Sequence, residues 1–254
     1  MIRSQLVSNL LINPITLPET GLVGWWRMEE PTAIDGTKIM DSSGYGNHGT
    51  LSTGDGSVNK SVAGKLGKGL SFDGNDYVST VSNAGFSGTG SRTVSLWFNP
   101  GTKQGAQILF QTGTNGFGNK FIIGYDWVVN EGIYFDTYGQ NDTNGKVNSI
   151  TRGSWNHVVI VFTYGVSSSI YINGVLDATD NKTTLTNISA TTITIGGTDG
   201  YFNGLIDDVR IYNRALTAGE VRELFENTQR ITTPMIVPKI QIPAISNYYK
   251  HLRT

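Results

Sequence analysis

Eleven short segments rich in β-branched and aromatic residues follow one another along the chain, at 22–28, 69–74, 77–81, 93–99, 107–112, 120–125, 132–138, 155–163, 169–175, 191–197 and 205–213. Many alternate apolar and polar residues at period two, and Gly, Asn or Asp lies between them. That pattern is the signature of half-buried strands joined by tight turns. Asn173-Gly174, inside YINGVL, predicts a type I′ hairpin, because that turn needs positive φ at both central positions. No strand–helix–strand alternation occurs, so the sheets are expected to be antiparallel. With 32 glycines in 254 residues, the composition fits many turns and disfavours a helical bundle.

One helix is specified near 217–226. Thr217 is a candidate N-cap, Glu220 stands three residues later, and Leu216 and Val221 bracket the start as a hydrophobic staple. Val221, Leu224 and Phe225 then form one apolar stripe, suited to plugging an open edge or end of the sheets.

Several chemistries are excluded by inventory. There is no cysteine, so disulfides, thiolate catalysis and Cys-ligated zinc are ruled out. Only His48, His157 and His251 are available for histidine chemistry. A formal charge of −1 gives no reason to expect nucleic acid, and no apolar run is long enough to insert into a membrane. Gly44, Gly46 and Gly49 fit a G-x-G-x-x-G pattern, but no helix follows and Asp41 would repel a phosphate; a tight loop explains them.

Four segments occur in an order and spacing known from one superfamily: GLVGWWRMEE (21–30), DSSGYGNHGT (41–50), GKGLSFDGNDYVS (67–79) and GYFNGLIDDVRIYNRALTAGEVRELF (200–225). SWNHVVIVF (154–162) and IYINGVLDAT (170–179) supply paired strands between them. Residues 21–227 resemble the laminin-G-like jelly rolls of the concanavalin-A-like lectin/glucanase superfamily. The resemblance implies an all-β sandwich of two curved antiparallel sheets and, among the functions of that superfamily, carbohydrate binding, adhesion or a structural part in an assembly. It also implies one structural Ca2+ held by Asp207, with Asp41 and Glu29 as companions. Alternation puts Asp207 in phase with Leu205, Val209 and Ile211, an inward row where a carboxylate must be paired. A carboxylate that only accepts hydrogen bonds from loop amides or from an Arg is the alternative.

Aromatic residues near loops are the candidates for stacking on a sugar: Tyr125, Trp127, Tyr134, Tyr138, Tyr164 and Tyr201. YDWVVNEG adds Asp126 and Asn130 beside Trp127, both able to bond sugar hydroxyls. Trp25, Trp26, Trp97 and Trp155 are expected in packing. No E-x-D-x-x-E strand motif and no G-x-S-x-G is present, so no enzyme activity is expected.

Two arms flank the jelly-roll segment. Residues 1–20 carry Leu10 and Leu11 among other apolar residues; 228–254 is rich in proline and carries Ile236, Ile240, Ile242 and Ile245. Regular prolines bar a helix, and exposed apolar side chains need a partner surface. The net charge is −5 over 21–227 and +4 over 228–254. The expected reading is a non-enzymatic structural protein whose arms make a homo-oligomer or larger particle, concretely a decoration or fibre-like virion component of a phage or virus, with outer loops that engage a glycan. A free-standing lectin or adhesion module is the alternative. The N-terminal segment has one early Arg but an interrupted apolar stretch, a poor secretory signal. The expected location is a particle surface after cytoplasmic synthesis, or the extracellular space by a non-classical route.

Overall fold

A computed structural model describes residues 18–116, 118–126, 131–138, 143–146, 148–181, 187–189 and 192–232. Both arms' named residues, Leu10, Leu11, Ile236, Ile240, Ile242 and Ile245, lie outside these, as do Trp127 and Asn130.

The described residues form two antiparallel sheets of eight strands each. The first runs β14 (Val175–Asp180), β13 (Ser167–Ile172), β12 (Asn156–Thr163), β7 (Arg92–Pro100), β16 (Asn203–Tyr212), β5 (Lys68–Asp73) and β4 (Ser61–Ala63). β1 (Leu22–Trp26) completes it by pairing with the second half of β16. The second runs β11 (Thr143–Asn144), β10 (Ile133–Asp136), β9 (Lys120–Tyr125), β8 (Gln107–Gly113), β15 (Ile193–Ile195), β6 (Tyr77–Thr80), β3 (Gly49–Ser52) and β2 (Lys38–Ile39).

Alternation decides which residues meet between the sheets. Val94, Leu96 and Phe98 of β7 stand opposite Ile160, Val158 and Asn156 of β12. Phe121, Ile123 and Tyr125 of β9 and Ile133 and Phe135 of β10 form the facing rows of the second sheet. Phe121 and Phe135 rings lie 4.6 Å apart and Phe98 and Tyr125 rings 5.7 Å apart. Each fully buried side chain of this size contributes about 1.5–3 kcal/mol relative to exposure.

The Asn173-Gly174 turn joins β13 to β14 with φ of +51° and +77°, as its sequence predicts. The helix α1 is longer than the sequence pattern suggests. It spans Ala218–Thr232, about four turns, and so overlaps the start of the segment read as an arm. No helix breaker occurs from Glu220 to Thr233; Pro234 comes first, and the residue before a proline is disfavoured in the helical region. Thr217 Oγ1 accepts the Glu220 N–H at 3.3 Å while Glu220 Oε2 accepts the Thr217 N–H at 2.8 Å, a complete capping box. The Arg214 side chain, hydrogen-bonded to Glu220, pulls that carboxyl down to about 2. Leu216, Val221 and Leu224 pack on Val159, Val161 and Tyr212, so α1 covers the outer face of the first sheet.

Candidate functional site

The outer face of the first sheet is a covered polar layer. Trp97, His157 and Phe225 of α1 form a three-ring cluster, with centroids 4.9 Å (Trp97–His157), 5.7 Å (Trp97–Phe225) and 6.1 Å (His157–Phe225) apart. His157 Nε2 and Ser95 Oγ are 2.8 Å apart, and burial holds the imidazole down near 3, so it stays neutral. Asp208 receives the Trp25 Nε1–H at 2.6 Å and pairs with Arg210. Ser95 thus serves His157, and Trp25 and Arg210 serve Asp208.

Asp207 belongs to this layer and not to the inward row. β16 carries a bulge between Asp207 and Arg210, with Asp208 at φ +49°. The extra residue shifts the alternation by one. Asp207 therefore pairs with Trp97 on the outer face, while Val209 and Ile211 continue inward. Its Oδ2 accepts the Leu66 N–H at 2.8 Å. Burial pushes its carboxyl up to about 8, against the pull of that amide. Glu29 accepts the Lys68 N–H of the same turn at 3.2 Å.

Asp41 sits in a different loop. It accepts the backbone N–H groups of Trp25, Ser43 and Asn47 at 2.8–2.9 Å, closing the glycine-containing turn. Burial alone would raise its carboxyl, but these bonds outweigh it and hold the group below the usual range. Asp207, Asp41 and Glu29 are thus not gathered into one ligand set. Among the described residues, the group of three acidic side chains with oxygens within 4.8 Å is Asp55, Asp73 and Asp76. The Lys60 ammonium stands inside that group, 2.7–3.1 Å from all three.

Of the sugar-binding candidates, Tyr125 and Asp126 are fully buried. The period that places Phe121 and Ile123 in the core places Tyr125 there too. Asp126, at φ +63°, receives the Gly105 and Glu131 N–H groups and pairs with Arg152 at 2.8 Å. Both residues are enclosed by the protein's own groups. Tyr164 packs partly buried against the core.

Tyr134, Tyr138 and Tyr201 gather instead around the outer face of the second sheet, which α1 does not cover. The register puts Tyr134 and Asp136 of β10, Lys120, Ile122 and Gly124 of β9, Gln111 of β8, Thr194 of β15 and Tyr77 and Ser79 of β6 on this one face. The Tyr134 ring lies directly against Gly124; any Cβ there would overlap it. The loop 196–202 folds onto the same face. Thr198 Oγ1 accepts the Gln111 amide at 2.7 Å, Asp199 pairs with Lys120 at 2.6 Å, and the Tyr201 and Tyr77 rings are 6.4 Å apart. The Lys120 ammonium is 5.5 Å from the Tyr138 ring, which is 45% exposed. Asp136 Oδ1 accepts the Tyr138 N–H at 2.7 Å and fixes that residue's turn. The result is a held platform: the exposed Tyr138 ring, the half-buried Tyr77 and Tyr201, and the exposed Thr198 and Asp199, fixed by the buried Gln111 and Lys120 beneath them. Gln111, Lys120 and Asp199 escape a search of the sequence for loop aromatics; the outward half of the period-two pattern in β8 and β9 is the signal that carries the first two.

No curated protein sequence matches the chain. Solved structures do resemble its fold. Domain 4 of an extracellular arabinanase from Geobacillus stearothermophilus, in complex with arabinotriose, superposes with a TM-score of 0.62 at 23% identity, covering 80% of this chain and 97% of that one. The binding domain of botulinum neurotoxin DC, in complex with SialylT, gives 0.62 at 18% identity, covering 83% of this chain and 52% of that one. Trypanosoma rangeli sialidase gives 0.60 at 18% identity; the chain spans 34% of its length. At these identities the likeness is one of fold. A family model, Laminin_G_3, matches residues 72–222. On that match, which covers more than half of its length, the chain belongs to this family of the concanavalin A-like lectin/glucanase superfamily.

Proposed function

We propose that the chain is a non-catalytic glycan-binding module whose site is the outer face of the second sheet around Tyr138. The observation that carries this reading is the exposed Tyr138 ring, set beside the Lys120–Asp199 and Gln111–Thr198 pairs on the sheet face that α1 does not cover. An aromatic face stacks on the C–H face of a pyranose, and the exposed hydroxyl of Thr198 and carboxylate of Asp199 bond its hydroxyls. Binding rather than hydrolysis is favoured because the nearby carboxylates are already engaged: Asp136 by the Tyr138 amide, Asp199 by Lys120. Structural neighbours in complex with arabinotriose and with SialylT make a saccharide the first ligand class to try. The test is an oligosaccharide array followed by calorimetry on any hit. Tyr138→Ala is expected to weaken binding about tenfold or more, as loss of a central aromatic contact does. Unchanged affinity in that variant would remove the site.

A second reading concerns assembly, and the observation favouring it is charge. Residues 228–254 carry +4 and no acid, against −5 over 21–227. We infer that the proline-spaced arms join copies of the chain into an oligomer or particle, of which a phage or virus decoration or fibre protein is the concrete form. Leu10, Leu11, Ile236, Ile240, Ile242 and Ile245 lie outside the described residues, so this reading rests on their sequence alone.

A further inference from the structure

Four lysine or arginine side chains are buried among the described residues, and three have a carboxylate: Lys60 has Asp55, Asp73 and Asp76, Lys120 has Asp199, and Arg210 has Asp208. The fourth, Arg92, has none. It begins β7 and lies opposite Phe162, facing inward at one end of the sandwich, and is 4% exposed. Its Nε donates to Gly90 O at 2.9 Å, its Nη2 to Gly88 O at 2.8 Å, and its Nη1 to Phe86 O. The Phe86 ring lies 4.9 Å from the guanidinium carbon. A guanidinium has five N–H groups. Three serve carbonyls here, and two have no acceptor among the described residues. Burial without a compensating anion lowers this group to about 10. An uncompensated buried charge of this kind is costly.

Arg92 is also part of a cleft of about 60 Å³, formed with Phe86, Ser87, Gly90, Ser91 and Asn213. Ser91 Oγ accepts the Tyr164 N–H at 3.0 Å, which leaves its own O–H free to donate. At Gly90 the absence of a side chain keeps one approach to the guanidinium open: a Cβ there would stand 3.8 Å from Nη2.

We propose that this cleft binds a carboxylate, with Arg92 as the cation that recognises it. Two remaining N–H groups on one positive charge match a monoanion with two oxygens. The volume suits a group of that size, and a dianionic phosphate would leave net negative charge in a site with a single cation. The carboxylate comes either from a small free acid or from an acidic sugar, and the experiment separates them.

Melting temperature is measured in sodium acetate and in sodium glucuronate against sodium chloride at matched ionic strength, for the native protein and for Gly90→Asp. The substitution puts a tethered carboxylate beside Nη2. The native protein is expected to gain about 3–6 °C at ten times the dissociation constant of the bound anion. Gly90→Asp is expected to melt higher than the native protein in chloride and to lose the response to both anions. A response to both identifies a free acid as sufficient; a response to glucuronate alone assigns the carboxylate to a sugar. No gain in either anion, or an equal gain in Gly90→Asp, overturns the proposal. If Gly90→Asp does not fold, the Arg92 Nε–H resonance of 15N-labelled native protein decides: it is expected to move saturably with the anion that raises the melting temperature, and a fixed resonance overturns the proposal.

Discussion

Asp207 shows how one residue's chemistry follows from one backbone irregularity. The bulge at Asp208 turns it to the covered outer face, where burial keeps its carboxyl protonated up to about pH 8. The unfolded chain would lose that proton near 3.8. The folded state therefore binds the extra proton between these values, and stability falls as pH rises from about 4 to 8. Asp207→Asn, neutral at every pH, is expected to remove that slope. Its melting temperature relative to the native protein should rise between pH 5 and pH 9; parallel melting curves would show that Asp207 is ionised in the fold. The row that Asp207 occupies was not legible in the sequence, because alternation counts residues and a bulge adds one without a signal of its own. The burial of Tyr125 was legible, since the same alternation that makes Phe121 and Ile123 inward applies two residues on. Its position beside a loop obscured that.

At the scale of elements, local chemistry read well wherever it needed no distant partner. The capping box at Thr217 and Glu220 and the Asn173-Gly174 turn are each contained within a few residues, and both form as their sequences dictate. Thr217→Ala removes the acceptor for the Glu220 N–H and is expected to cost about 1 kcal/mol, measured by denaturant unfolding. A change below about 0.3 kcal/mol would mean that packing of Val221 and Leu224 alone holds the helix start. The short strands β2, β3, β4 and β11 were not read as strands. Each has two to four residues and lacks a run of alternating apolar side chains. Their extended shape comes from the strands they pair with, which is a tertiary cause.

The whole molecule is a sandwich whose two outer faces differ. One is sealed by α1 and holds the neutral His157 and the Asp208–Arg210 pair; the other carries Tyr138 and its pinned polar groups. The inward rows were readable from period two, so the fold class followed from the sequence. The platform was not, since it joins β6, β8, β9, β10 and the loop 196–202, which are far apart along the chain. The jelly roll has its own core and should fold without the arms. A chain of residues 18–232, which keeps all of α1, is expected to be folded and monomeric, and the full chain to be larger than one copy by light scattering. A monomeric full chain would contradict the assembly reading.

The central claim is that the outer face of the second sheet around Tyr138 binds a glycan. Its most direct test is a titration of 15N-labelled protein with an oligosaccharide that it binds, followed by backbone amide shifts. The account predicts saturable shifts at Gln111, Lys120, Asp136, Tyr138, Thr194 and Asp199, with the residues under α1 unmoved. Shifts confined to the layer around Trp97 and His157, or to the other edge of the sandwich, would contradict it.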